Sequence, residues 1–198
     1  MVSTVTRMKG PARREQLLDA TKAVVADEGL HAVSIEAVAR RAGITRPIVY
    51  RHFDDLPALL DALVERETAR ALAQLVAFMP SELGDDPREG LLTTLRAYLR
   101  AVESDPVTWR LVLVPPEGAP ALLRTRIAAG RAAVVRQLAA AAAGSPDPEL
   151  TARALSAVAD EAARLVLADP ETYPPARLLD HARWLLFEAP RQSSLGMP

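Results

Sequence analysis

The sequence predicts an all-α fold, and three observations support this prediction. Apolar residues recur at helical spacing in nearly every segment, as Leu17, Ala20 and Val24 do near the amino end. No segment shows the clean alternation of apolar and polar residues, with β-branched enrichment, that is typical of strands. Glycines and prolines fall between the periodic segments, where they begin or end helices. At 198 residues the chain could form one mid-sized domain or two small ones, and it is long enough to bury a substantial core.

The first two predicted helices have clear ends. The first runs from Ala12 to Glu28, and Gly29 is a natural carboxy-terminal stop. Ser34 offers an amino-terminal cap for the second helix, which covers residues 35 to about 42 and is ended by Gly43. The pattern therefore predicts two helices followed by a tight turn.

The remaining helices follow the same signals. Thr45 can cap a third helix that has Pro47 in its first turn, where a missing N–H costs little, and Pro57 opens a fourth. The stretch MPSELGDDPRE, residues 79–89, breaks the helical pattern and is a candidate boundary. Later helices are predicted from about 91 to 104, around Trp109, from about 121 to 143, and over 148–168 and 175–188.

Composition and charge narrow the class of protein. Hydrophobic residues make up 49% of the chain and charged residues 25%, with no apolar run long enough to span a bilayer. The amino-terminal stretch lacks the apolar core of a secretory signal, so we expect a cytoplasmic protein that keeps its amino terminus. The absence of cysteine excludes disulfides and thiolate metal sites. Residues 1–53 carry nine Lys and Arg against five Asp and Glu, although the net charge of the whole chain is −1, which suggests a basic module joined to an acidic one.

The segment from 35 to 53 has the spacing of a helix-turn-helix. Ala39 is small enough for a close helix crossing, Gly43 suits a tight turn, and Val49 can fill the angle between two helices. The polar and basic positions then face outward, and a second helix of this kind can enter the DNA major groove while its surroundings meet phosphates. An ordinary corner between two helices has the same apolar skeleton. The exposed positions in this frame are Arg40, Arg41, Thr45, Arg46, Pro47, Tyr50, Arg51 and His52.

The flanking residues extend this pattern into a family resemblance. The stretch VSIEAVARRAGITRPIVYRHFDDLPALLDAL, residues 33–63, preceded by a helix that ends in DEGL, closely resembles the DNA-binding domain of TetR family transcriptional regulators. The resemblance covers residues 13 to about 65. The positions that match the family pattern are Glu28, Gly29, Ser34, Ala39, Gly43, Thr45, Tyr50, His52 and Phe53.

By this resemblance, six residues are carried over as DNA contacts: Ser34, Thr45, Arg46, Pro47, Tyr50 and His52. Arg46 is suited to guanine, while Tyr50 and His52 are suited to phosphate oxygens. The family commonly has a lysine at the start of the fourth helix, where this chain has Leu56 after two aspartates. Arg51 is the neighbouring cation that we expect to substitute for it.

The resemblance also implies an organisation for the whole chain. It implies a three-helix DNA-binding domain with a helix-turn-helix, followed by a helical domain that binds a ligand and forms a homodimer through the last two helices. Such a protein is expected to be a repressor that binds a palindromic operator and is released by a small-molecule effector. The expected divisions are a flexible arm over 1–12, the DNA-binding domain over 13–56, the ligand-binding and dimerisation domain over 57–190, and a flexible tail over 191–198.

Candidate ligand contacts come from residues on the inner faces of the middle helices: Tyr98, Trp109, Leu113 and Ile127. The same residues could equally be plain core. Arg110, Arg131, Asp160 and Glu161 could supply polar groups. Trp184 and Phe187 could cover the dimer interface or belong to the core within one chain.

An enzyme and a protein-interaction module are the two alternatives to a DNA-binding protein. The sequence has no nucleophile elbow, phosphate-binding loop, dinucleotide-binding glycine run or zinc-protease motif, so we expect no catalytic residue, no cofactor and no metal site. Its three histidines, at 31, 52 and 181, do not have the spacing of metal ligands. A helical module that uses the 35–53 pair for protein contacts is the alternative that stays open.

Overall fold

The structure is a computed structural model that describes residues 10–78, 86–114 and 121–188. Within these ranges the chain is helical and contains no strand, which confirms the all-α prediction. The helices are α1 (Gly10–Glu28), α2 (Ile35–Arg41), α3 (Arg46–Tyr50), α4 (Leu56–Phe78), α5 (Pro87–Ser104), α6 (Pro106–Leu113), α7 (Ala121–Ala141), α8 (Pro148–Ala168) and α9 (Pro175–Phe187), with a short 3₁₀ helix at Leu30–Ala32.

Most predicted helices are found, and their ends differ in a few places. Helix α1 begins at Gly10, two residues before the predicted start, and α7 ends at Ala141, before the predicted limit at 143. Helix α4 begins at Leu56, where Asp55 accepts a hydrogen bond from the Ala58 N–H at 2.7 Å and so caps the helix ahead of the predicted Pro57. The predicted arm as far as residue 9, most of the boundary stretch (79–85) and the predicted tail lie outside the described residues.

The chain divides into two compact units. The first contains residues 1–69 and 116–126, and the second contains 70–115 and 127–198, so the division falls within α4 and again within α7. No described helix is both long enough and apolar enough to cross a membrane.

The core of the first unit is formed by α1, α2, α3 and the start of α4. Helix α1 packs against α2, and α2 packs against α3. Their inward side chains are fully buried, as Leu17, Val38, Val49 and Leu59 show. Because α3 has only five residues, this packing holds it in place more than its own hydrogen bonds do.

A buried ionic cluster joins α1 to α4 in the same unit. The Glu67 side chain has no solvent exposure, and it accepts hydrogen bonds from Lys22 Nζ at 2.9 Å and from Arg66 Nε at 2.9 Å. Arg66 also donates to Asp19 at 2.8 Å and to Glu15 at 3.1 Å. Burial alone would lower the pKa of Arg66, but the surrounding carboxylates raise it overall, so the cluster stays charged.

The second unit has a separate core. Helix α5 packs against α8 and α9, and α6 packs against α8. The Tyr98 and Trp109 rings meet edge to face with centroids 5.1 Å apart. Gly130 of α7 lies close to Leu72 of α4, since a Cβ there would lie 2.5 Å from a terminal carbon of Leu72.

Candidate nucleic-acid interface

The amino end of α2 is capped as the sequence predicts. Ser34 has extended backbone angles, and its Oγ accepts a hydrogen bond from the Ala37 N–H at 3.1 Å. The hydroxyl keeps its own hydrogen for donation to an acceptor outside the helix. Ser34 thus lies at the surface, half-buried, beside the positive end of α2.

The turn after α2 fixes the direction of α3. The Ile44 N–H donates to the Ala39 carbonyl at 2.9 Å, and the Gly43 N–H donates to the Arg40 carbonyl at 3.2 Å. These two bonds form a Schellman motif, in which the residue after the helix cap adopts a positive φ. Gly43 has a φ of 66°, which a side chain would make costly. The predicted need for glycine at this position is therefore met by a specific backbone geometry.

Helix α3 presents its polar residues to solvent. Val49 is fully buried, while Tyr50 has 52% of its surface exposed. Thr45 occupies the cap position, but its side chain makes no capping hydrogen bond, so the predicted cap is wrong in that detail; the hydroxyl is exposed instead. The predicted residues that α3 and its two ends bring together on one exposed surface are Thr45, Arg46, Pro47, Tyr50 and Arg51.

His52 and Phe53 mark the far edge of this surface. The His52 N–H donates to the Val49 carbonyl at 2.9 Å, and its side chain is half-buried. Phe53 is buried, with the Arg14 guanidinium 5.0 Å above its ring. Beyond Phe53 the surface carries two exposed aspartates, Asp54 and Asp55. They are followed by the half-buried Leu56, at the position where the family pattern has a cation.

One residue of the interface was missed by sequence reasoning. Glu36, in the first turn of α2, forms an exposed ion pair with Arg46 at the start of α3. The hydrogen bond from Arg46 lowers the pKa of Glu36, and the same bond raises the pKa of Arg46, so both groups are charged at neutral pH. The pair is formed across the turn, which is why spacing along one helix could not reveal it.

The four candidate ligand contacts lie in and beside the core of the second unit. Tyr98, Trp109 and Leu113 belong to the buried core of the second unit, while Ile127 is half-buried on α7. The Trp109 Nε1 hydrogen has no acceptor among the described residues. A buried donor without a partner costs about 1–3 kcal/mol, which a water or ligand acceptor would recover.

Tyr98 connects this core to charged residues. Its hydroxyl donates to Asp160 at 3.2 Å, and Asp160 pairs with Arg131 at 2.9 Å. Burial and the Asp160 carboxylate raise the pKa of Tyr98 above its usual range, so the hydroxyl stays a donor. Of the other polar candidates, Arg110 donates to the Leu167 carbonyl at 3.0 Å and Glu161 pairs with Arg164.

No group of three or more histidine, aspartate or glutamate side chains is arranged to hold a metal ion in the segments of the chain that the structure describes. His31 lies in the 3₁₀ helix and His181 on the exposed surface of α9. His181 stacks on Trp184 with centroids 5.7 Å apart.

Comparison with known proteins agrees with the helix-turn-helix geometry. Residues 17–63 match the family model described as bacterial regulatory proteins, tetR family. A stretch of 81 residues is 37% identical to the HTH-type transcriptional regulator BetI of Stenotrophomonas maltophilia (strain R551-3), and it covers 41% of each chain. The chain therefore spans about two fifths of the length of that relative.

Two solved structures extend the likeness to most of the chain. A TetR-like transcriptional regulator from Rhodococcus sp. RHA1 superposes with a TM-score of 0.68 at 25% identity, over 91% of this chain and 98% of its own. The multidrug binding protein EbrR, solved in complex with imidazole, gives a TM-score of 0.62 at 27% identity, over 91% and 98% of the two chains. From the matched family model, the helix-turn-helix and these full-length similarities, the chain belongs to the TetR family of bacterial regulatory proteins.

Proposed function

We propose that this chain is a transcriptional regulator that binds double-stranded DNA with α2 and α3 and responds to a small-molecule effector. One observation carries the proposal of DNA binding. The Schellman turn holds a five-residue α3 against the core, so that a guanidinium, two hydroxyls and a proline ring face solvent together. A polar surface of this kind fits the major groove better than it fits a protein partner, since contacts between proteins favour a more apolar centre.

Within this proposal the exposed side chains have different roles. Arg46 lies at the start of α3, where the side chain of a recognition helix meets base edges, and its fork can pair with guanine O6 and N7. Tyr50 and His52 donate to phosphates, and Ser34 does so from the start of α2. Arg51, exposed after α3, takes the phosphate contact that Leu56 cannot make.

Glu36 opposes this binding in the free protein. Its carboxylate forms an ion pair with the Arg46 guanidinium and adds a negative charge beside the phosphates of the bound DNA. DNA must therefore share or displace the ion pair, and Glu36→Gln is expected to strengthen binding to duplexes of any sequence. Unchanged affinity in that variant would count against the placement of Arg46 at the DNA.

Exposed apolar residues on α8 and α9 support a homodimer. Val158 is 64% exposed, and Trp184 and Leu185 are 43% and 52% exposed. Apolar surface of this size is stabilised when two copies cover it, and a twofold axis would place two recognition helices on a palindromic operator. In this proposal residues 13–56 bind DNA, and residues 57–190 bind the effector and form the dimer.

An effector in the second unit would release the protein from its operator. EbrR, which has the same fold, was solved with imidazole, and this likeness supports a small-molecule effector for this chain. If the effector binds more tightly to a conformation whose recognition helices are misplaced, it lowers the affinity for DNA by that difference. A repressor of this kind acts in the cytoplasm, where the bacterial chromosome is.

The test begins with selection of preferred duplexes from a random library, followed by anisotropy titration of the selected and scrambled sequences. Arg46→Ala should weaken binding to the selected duplex and relax preference at one base pair in each half-site. Tyr50→Phe should weaken both duplexes alike. Arg100→Gln, an exposed change on α5, is the control and should leave both affinities unchanged.

The alternative function predicts a different pattern. If α2 and α3 form a protein-interaction module, no duplex is enriched, and binding to DNA shows no steep dependence on salt. Equal losses on selected and scrambled DNA from Arg46→Ala and Tyr50→Phe would refute the assigned roles while leaving DNA binding itself in place.

A further inference from the structure

An open cleft runs between α7 and α8, within the second unit. Its volume is about 920 Å³, which is in the range of cavities that hold small organic ligands. The two helices are joined by a short connection, and Arg136 near the end of α7 and Arg153 near the start of α8 both line the cleft. None of the four predicted ligand contacts lines this cleft.

The charge of the cleft is positive. Four arginines line it, against two acids, Glu149 and Asp160. Two of the arginines are paired with these acids, Arg153 with Glu149 at 2.8 Å and Arg131 with Asp160 at 2.9 Å. The other two are Arg164, which pairs with Glu161 outside the lining, and Arg136, which forms no ion pair with any of the described residues.

The floor of the cleft is apolar along α7. Ala128, Ala132, Val135 and Ala139 follow each other at helical spacing and all line it. Small side chains leave room above the helix surface, and the four arginines line the same cleft. A ligand that fits must therefore combine an anionic head, which a guanidinium can bind with two hydrogen bonds, with an apolar segment.

We infer that this cleft binds an organic anion with an apolar tail, and that such an anion is the effector. The head group pairs with Arg136 and the tail lies over the alanines of α7. Asp160 also lines the cleft and accepts from Tyr98 and Arg131, so an anion bound there changes the charge beside a carboxylate that contacts the core. The inference deepens the proposed effector response and rests on it for the effect on DNA, but not for binding of the anion.

Binding is tested by calorimetry on the full chain without DNA. The probes are decanoate, decanol, decyltrimethylammonium and inorganic phosphate, each below any micelle-forming concentration. Decanoate should bind, and the neutral and cationic probes with the same tail should bind at least about tenfold more weakly, as should phosphate alone. Equal binding of the three tailed probes would overturn the inference.

Variants locate the site. Arg136→Gln should weaken decanoate binding about tenfold or more, while Arg100→Gln, the same change on α5, should not weaken it. Ala132→Phe should block the cleft, and Ala133→Phe, an exposed change next to it that does not line the cleft, should leave binding intact. If Arg136→Gln instead leaves decanoate binding unchanged and turns a dimer into a monomer, the cleft is an interface between two copies and the inference is wrong.

The link to DNA is measured separately, by adding decanoate to the complex with the selected duplex. If decanoate releases DNA from the wild-type protein but not from Arg136→Gln or Ala132→Phe, the anion is supported as the effector. Binding of decanoate without release of DNA refutes its role as effector but not the site. Failure of the chain to bind any duplex refutes the proposed regulator and leaves the calorimetric result as an independent test of the cleft.

Discussion

Glu67 gives the sharpest test of how the first unit is stabilised. Replacing it by glutamine keeps the shape of the side chain but removes its charge. Lys22 and Arg66, whose side chains are only 19% and 11% exposed, then face a neutral amide, and one of them faces the amide's own donor. Removing one partner of a buried ion pair costs about 3–5 kcal/mol, and because Arg66 keeps its pairs with Asp19 and Glu15, we take the lower limit of about 3 kcal/mol here. We expect Glu67→Gln to lower the free energy of unfolding of this unit by that amount.

A matched variant separates burial from the mere loss of an ion pair. Asp19 accepts from the same Arg66 at 2.8 Å, but its side chain is 64% exposed. Water screens that pair and replaces it when it is lost, so Asp19→Asn should cost no more than about 1 kcal/mol. Both variants remove one negative charge, which keeps the net charge the same in the comparison.

Urea unfolding followed by far-ultraviolet circular dichroism measures both changes. Hydrogen exchange of the α1 amides assigns the loss to the first unit, since α1 lies wholly within it. If Glu67→Gln and Asp19→Asn cost the same within about 0.5 kcal/mol, the buried cluster does not contribute as its geometry implies. A second variant, Lys22→Met with Glu67→Leu, should recover some of the loss, because apolar replacements remove a buried ion pair as a whole and Arg66 keeps Asp19 and Glu15.

Three further changes test other contacts. Gly43→Ala should lower the free energy of unfolding by about 1–2 kcal/mol in urea titrations because of its φ of 66°, and Gly43→Asn should lose less; equal losses would contradict this. Because the pKa of Tyr98 is raised in the folded state, its neutral hydroxyl stabilises the fold fully below pH 10, and this stabilisation is lost as the pH rises. Above pH 10 the free energy of unfolding of wild type should therefore fall by up to about 1.4 kcal/mol per pH unit more than that of Tyr98→Phe. Parallel curves of stability against pH would refute this. Gly130→Ala should cost more with Leu72 present than in Leu72→Ala, and a double-mutant cycle without coupling would exclude the clash.

Local signals predicted the two ends of α2 well. The Ser34 cap and the turn at Gly43 depend on the backbone of a few neighbouring residues, so their chemistry can be derived from the sequence alone. The start of α4 was predicted at Pro57 because proline is a strong signal, while the carboxylate of Asp55 sets the true start at Leu56.

Such local signals do not predict contacts between helices. The stretch ERE at residues 65–67 has the composition of a solvated helix surface, yet Glu67 is fully buried because Lys22 of α1 faces it. The pair of Glu36 with Arg46 likewise depends on how the turn directs α3. In both cases the partner lies on another helix, and its distance is decided by packing, which periodicity along one helix does not describe.

The shortness of α3 ties DNA recognition to the stability of the first unit. A helix of five residues has too few hydrogen bonds to persist alone, so the direction of Arg46 depends on the burial of Val49 and on the turn at Gly43. A change in that packing lowers DNA binding by lowering the folded fraction, whatever duplex is used. In a fully folded variant, a change in a base contact lowers binding to a particular duplex, and a change in a phosphate contact lowers binding to every duplex. Affinity measured on selected and scrambled duplexes, at a temperature where each variant is folded, therefore distinguishes a residue that holds the interface from one that touches DNA.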